Sequence, residues 1–128
     1  SLHRAYNRVR NDFAKRYAND PEISHFTRLL KGDLAHACSK DIRASAYVVD
    51  SLESVIWSLL ASDSYREACL ASVRLGGGSD SATSLVGGIA GLAYGVDGIP
   101  QDWLAQLARH SDIEDLALRL AKAQNLYY

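Results

Sequence analysis

Asp50-Ser51-Leu52-Glu53-Ser54-Val55-Ile56-Trp57-Ser58-Leu59-Leu60 decides the fold class. Leu52, Val55, Ile56, Leu59 and Leu60 stand at i, i+3, i+4, i+7 and i+8. That spacing draws one apolar stripe along a helix and makes no sense on a strand. Asp50 and Glu53 read as a capping box with Asp in place of Ser or Thr, so the helix is expected to begin at Asp50. Val48-Val49, just before it, is too short for a strand.

Moving toward the C-terminus, Ser64 and Glu67 form a standard capping box. The helix they open carries Ala68, Ala71, Val73 and Leu75 and stops at Gly76-Gly77-Gly78. The short connection after Leu60 predicts that these two helices lie antiparallel. Asp80 and Ser81 are expected to cap the next helix. From Ser81 to Val96 the chain carries no charge, yet about 16 residues fall short of the ~20 that span a bilayer. Ser84, Gly88, Gly91 and Gly95 recur along it at three- or four-residue spacing, with Gly87 beside them. Each helical glycine costs about 1 kcal/mol relative to Ala, so close helix packing or the close approach of a ligand is expected to offset them. Gly95 and Gly98 end the helix. Pro100 opens another, with Trp103, Leu104 and Leu107. Ser111 and Glu114 make a third box for a last helix with Ile113, Leu116, Leu120 and Ala123.

Toward the N-terminus, Leu2, Tyr6, Val9, Phe13 and Tyr17 mark an amphipathic helix. Arg4, Arg8, Arg10, Lys15 and Arg16 give it a basic, solvated face. Asp20 caps a second helix with Pro21 at its first position, running through Phe26, Leu29 and Leu30 to Gly32. Residues 33–46 have no clear period and are expected to be irregular. The expectation is an all-α helical bundle, residues 1–128 forming a single helical unit of six or seven helices.

The 128 residues are 48% hydrophobic and 23% charged, as in an ordinary soluble domain. Fourteen basic residues against fifteen acidic leave a net charge of −1, so no overall field attracts nucleic acid or anionic lipid. The expectation is no nucleic-acid and no membrane partner. Cys38 and Cys69 lie far apart and fit no zinc spacing; they are expected to be reduced, partly buried thiols in a cytoplasmic protein. His3, His25, His36 and His110 are scattered, and His110 is placed at a helix end where a cation is favourable. Glu53, Glu67 and Glu114 have capping explanations. The chain lacks Met altogether, which suggests a processed chain or a piece of a longer one.

Function concentrates on Leu75-Gly76-Gly77-Gly78-Ser79-Asp80-Ser81. Three glycines let backbone approach a ligand closely, and a helix N-terminus follows, with free N–H groups suited to phosphate. There is no Gly-Lys-Ser/Thr, so the tract is not a Walker A loop. Asp80, Ser79 and Ser81 offer hard oxygens for Mg²⁺, Mn²⁺ or Ca²⁺. A glycine C-cap followed by an Asp or Ser N-cap accounts for most of the same residues.

The run Tyr47-Val48-Val49-Asp50-Ser51-Leu52-Glu53 with Trp57 resembles a segment of the ADP-ribosylglycohydrolase family, where a Gly-Tyr-Val-Val-Asp-Thr-Leu-Glu-type stretch opens a helix. Leu75 to Gly95 is similar to that family's Leu-Gly-Gly-Asp-Thr-Asp-Thr tract and the Ala/Gly-rich helix behind it. The agreement runs from Ser45 to the end. It implies an all-α bundle, of which this chain is the C-terminal portion, around a pair of divalent metals, Mg or Mn. By the resemblance Asp80 is a metal ligand and Ser81 offers it a hydroxyl, while Gly77, Gly78, Ser79 and Tyr47 approach the substrate. That substrate is an ADP-ribosylated protein or a related ADP-ribose compound, whose glycosidic bond is hydrolysed. Two departures stand out. Gly78 replaces the family's first Asp, and no Thr-Asp-Asp motif is present. At less than half the length of a typical member, the chain is expected to need a complementary N-terminal chain or to self-associate. The alternative is a non-catalytic, degenerate helical module that binds a partner chain.

Overall fold

The computed structural model describes residues 1–124, and among them there are helices and no strand. The α-helices are α1 Leu2–Arg16, α2 Thr27–Lys31, α3 Val48–Leu60, α4 Tyr65–Leu75, α5 Ser79–Tyr94, α6 Gln101–Gln106 and α7 His110–Ala123. Short 3-10 turns occupy Pro21–Phe26, Leu34–His36, Ser39–Asp41 and Val96–Gly98. The all-α expectation holds. The chain divides into two compact units, Ser1–Gly98 and a second beginning at Ile99.

In the first unit α3, α4 and α5 pack on one another. Val49, Val55, Leu59 and Leu60 of α3 are buried, as are Ala68 and Cys69 of α4 and Ala82, Val86 and Ala90 of α5. Small side chains on α4 and α5 let the backbones approach. Buried hydroxyls are satisfied locally: Ser58 donates to the Ser54 carbonyl and Ser54 to the Ser51 carbonyl, both at 2.8 Å, and Thr83 donates to Ser72 across α4 and α5 at 2.9 Å. The Ser64 cap forms, accepting from the Glu67 N–H at 3.2 Å, while the Glu67 carboxylate accepts from the Asp63 N–H.

A second cluster gathers Leu29, Leu34 and Ile42 with Phe26, Ala37, Ile56, Trp57 and Leu75 against them. It explains how the irregular 33–46 segment keeps one path. Leu34 and Ile42 are its apolar anchors. Trp57 Nε1 donates to the Ala37 carbonyl at 3.0 Å, and Arg28 Nη1 to that of Asp41 at 2.6 Å. Asp20 caps the turn that starts at Pro21, accepting from the Glu22 N–H. Helix α1 buries no residue fully and is tied down by Tyr6 Oη and Arg10 Nη1, which donate to the Leu29 and Leu30 carbonyls.

Several helix starts differ from expectation. Helix α3 begins at Val48, not Asp50, with Tyr47 at the N-cap. The earlier start carries Val49 into the core and hands Asp50 to the Ser45 hydroxyl at 2.7 Å, so the Asp50–Glu53 box does not form. Leu52 lies on the open side of α3 and Val73 on that of α4, while Cys69 and Ser72 face inward. Helix α5 begins at Ser79 with Gly78 at the N-cap; Asp80 and Ser81 sit inside its first turn and cap nothing. Its glycines are not all packed. A Cβ on Gly87 would meet Tyr65 Oη at 3.2 Å, but at Gly88 and Gly91 it would meet nothing within 4 Å. Leu85 and Leu92, on that side, are 58% and 85% exposed. Cys38 is exposed and Cys69 buried, both free thiols.

In the second unit Pro100 is the N-cap of α6 rather than its first residue. Helix α7 starts at His110 behind a left-handed Arg109, φ 58°. Ser111 is therefore inside the helix and makes no cap; instead Arg109 Nε donates to Asp112 at 2.7 Å. His110 stands at an N-terminus, where a cation is disfavoured, the reverse of the expectation. No helix of the described residues is long and apolar enough to cross a membrane.

Candidate functional site

The Leu75–Ser81 tract is the link from α4 to α5, and its three glycines have three different causes. Gly76 ends α4 with φ 70° and ψ −151°, and its N–H donates to the Val73 carbonyl. Gly77 is also left-handed, φ 62°, and a Cβ there would collide with the Ala44 carbonyl oxygen. Gly78 has an ordinary φ of −74°, and nothing lies where its Cβ would be. Left-handed backbone and a close approach therefore require glycine at 76 and 77, and neither requires it at 78. The Ser79 N–H then donates to the Gly77 carbonyl at 2.8 Å, a tight turn that delivers the chain into α5.

Asp80 and Ser81 are exposed and Ser79 is half-buried. All three belong to the first turn of α5, which no side chain caps. The Ser79 N–H is taken by the Gly77 carbonyl, and the positive end of the helix dipole lies at this turn. The Asp80 carboxylate stands at that end.

Gly77 is brought onto Ala44, three residues before Tyr47. Ser45 orders the turn between them: its hydroxyl donates to Asp50 Oδ2 at 2.7 Å and accepts from the Tyr47 N–H at 3.1 Å, and its carbonyl accepts from the Ser51 hydroxyl at 2.8 Å. Tyr47, at the N-cap of α3, is half exposed. The glycine tract thus lies against Ala44, at the start of the segment that leads to Tyr47.

The donors for a divalent cation are one carboxylate, Asp80, and the hydroxyls of Ser79 and Ser81. An oxygen site for Mg²⁺ or Mn²⁺ takes about six ligands. Among the described residues no group of three or more His, Cys, Asp or Glu side chains could hold a metal ion. Among the described residues these donors do not complete a metal site, and Gly78 has no carboxylate to add.

Glu53 was assigned to capping by its spacing from Asp50. It is buried instead, with Arg28 Nε 3.9 Å from its carboxylate. Burial raises its carboxyl above the ordinary value, and Arg28 partly opposes this. The signal available in the sequence was the four-residue step from Val49 to Glu53, which puts both on one face once the helix includes Val48.

Comparisons with known proteins bear on the same residues. A family model described as ADP-ribosylglycohydrolase matches residues 1–127, taking in the first 44 residues, which the motif resemblance did not reach. The ADP-ribosylarginine hydrolase Tri1 of Serratia proteamaculans is 39% identical over 80 residues, 62% of this chain and 22% of the relative. The protein of the same name from Pseudomonas putida is 35% identical over 89 residues, 70% of this chain and 24% of the relative. An ADP-ribosyl-[dinitrogen reductase] glycohydrolase of Rhodospirillum rubrum is 37% identical over 65 residues, 51% of this chain and 22% of the relative. The chain thus spans under a quarter of the length of these curated relatives.

Proposed function

The chain belongs to the ADP-ribosylglycohydrolase family, and from that premise we propose that it is the C-terminal part of an ADP-ribosyl hydrolase, supplying one side of the substrate groove. The bond cleaved is the glycosidic bond of an ADP-ribosylated protein, arginine-linked by analogy with the names of the relatives, or of a related ADP-ribose compound. The observation that carries this reading is the Gly76–Gly77 bend laid on Ala44, which opens directly onto the uncapped first turn of α5. A helix start without a side-chain cap suits the diphosphate of ADP-ribose. On this reading the Ser79 hydroxyl bonds a ribose oxygen, and Tyr47 lines the adjoining wall. Mg²⁺ or Mn²⁺ would draw Asp80 and the Ser81 hydroxyl from this chain and its remaining ligands from outside these residues. The catalytic acid or base is likewise sought outside them.

The test is complementation. This chain is mixed with the portion of the Serratia relative lying outside the matched region, and release of ADP-ribose from an arginine-ADP-ribosylated protein is followed. The reading expects no release by the chain alone, some by the mixture, and none after Asp80→Ala. Turnover by the chain alone, in a preparation free of any other polypeptide, or turnover of the mixture unaffected by Asp80→Ala, contradicts it.

A second reading has its own observation. Gly78 occupies the place of a family carboxylate although the backbone there accepts any residue, and α5 presents Leu85 and Leu92 to solvent. Both suit a non-catalytic helical module that binds a partner chain. A mixture that forms a stable complex with no release of ADP-ribose, even with Gly78→Asp, favours this reading.

A further inference from the structure

The geometry points to Asp50 as a positioning residue for the Leu75–Ser81 tract, acting through Ser45; its relevance to function rests on the reading of that tract as ligand-binding. Asp50 lies in the first turn of α3 and the tract lies between α4 and α5, so nothing in the chain order connects them. The connection is a short relay. Asp50 Oδ2 accepts the Ser45 hydroxyl at 2.7 Å. The same hydroxyl oxygen accepts the Tyr47 N–H at 3.1 Å, and the Ser45 carbonyl is held by the Ser51 hydroxyl at 2.8 Å. Ser45 is thus fixed through its side chain and through the carbonyl of the Ser45–Ala46 peptide, and the Ala44–Ser45 peptide is the link that leads into this fixed residue. The carbonyl oxygen of that peptide is the atom that leaves no room for a Cβ on Gly77. Gly77 in turn accepts the Ser79 N–H that starts α5. A charged acceptor at Asp50 therefore sets where the tract lies and where Asp80 emerges. A hydrogen bond to a charged group is stronger than a neutral one, which suits a part that must not shift. Loss of the anchor is expected to loosen the Ala44–Ser45 peptide against which the left-handed Gly77 lies.

The test uses the whole 128-residue chain and amide hydrogen exchange resolved by residue. Asp50→Ala and Ser45→Ala are each expected to speed exchange of the Ser79 amide about tenfold and to move the Gly76, Gly77 and Gly78 amide resonances. Amides in the middle of α4 are expected to stay unchanged. The double variant is expected to add little to either single one, because both cut the same relay. Asp50→Asn keeps a neutral acceptor for the Ser45 hydroxyl and is expected to recover part of the lost protection, with exchange between that of the parent and that of Asp50→Ala. Three results overturn the proposal: effects confined to the first turn of α3, a uniform acceleration through α4 and α5, or additive effects in the double variant. Should Asp50→Ala fail to fold, Ser45→Ala against Asp50→Asn makes the same comparison. Titration of ADP-ribose separates this from the functional reading. If ADP-ribose moves no tract resonance in the parent, that reading fails, while the exchange data still decide the relay.

Discussion

Two regions of this chain are rich in glycine, and they use it differently. In the 76–78 tract, Gly76 and Gly77 take backbone angles that other residues avoid, and Gly77 lies where a side chain would strike the Ala44 carbonyl. In α5, Gly88 and Gly91 are helical, and a Cβ on either would meet open space. The first region needs glycine for its own conformation. The second gains nothing from glycine inside its own unit, among the described residues, and bears the helical cost. What separates them is whether the reason lies inside the Ser1–Gly98 unit.

The largest effect expected is at Gly77. Gly77→Ala adds left-handed strain and a collision with backbone, and is expected to cost on the order of 3 kcal/mol in urea unfolding. A loss below about 0.5 kcal/mol, within the range of ordinary surface changes, would show that the tract does not rest on Ala44. Gly88→Ala and Gly91→Ala are expected to do the opposite, each stabilising the isolated chain by about 0.5–1 kcal/mol through helix propensity. If either destabilises the chain, the two regions are not different in kind. If either stabilises the chain yet weakens a complex with a complementing fragment, the glycines serve a neighbour that packs on α5.

Glu53 provides a smaller and directional test in the helix beside both regions. Because burial raises its carboxyl, the folded chain holds this proton more tightly than the unfolded chain. The stability it contributes is present in full below its ordinary value and is lost as pH rises through the raised one. Glu53→Gln is expected to flatten that decline in melting temperature from about pH 4.5 upward. An unchanged profile would show that some other group carries it. The smallest stability effect is expected at Gly78. Gly78→Asp gives α5 a capping side chain that it lacks, worth a few tenths of a kcal/mol in thermal unfolding, and Gly78→Ala should show no such gain.

The sequence made the helices legible wherever apolar periodicity and a cap agreed, as at Ser64–Glu67. It misled where a capping pattern stood one turn inside a helix. Asp50–Glu53 and Ser111–Glu114 have the right spacing, but burial of Val49 and the left-handed Arg109 set the true starts. Position of the candidate tract was legible, because glycines, hydroxyls and Asp80 are contiguous and match a family pattern. Its support was not. Ala44 meets Gly77 only through tertiary contact, with Ser45 and Asp50 behind it, and a single sequence carries no periodic signal for that. Glu53 was hidden for a related reason: a carboxylate reads as a surface residue until the helix phase is known.

The proposed metal role of Asp80 implies a tract that is incomplete, short of a carboxylate at Gly78. Calorimetric titration of Mn²⁺ into the parent chain, Gly78→Asp, and Gly78→Asp combined with Asp80→Ala tests it most directly. The account predicts weak or no binding by the parent, tighter binding by Gly78→Asp, and loss of that gain when Asp80 is removed. Micromolar binding by the parent chain, or a gain at Gly78→Asp that survives Asp80→Ala, would contradict it.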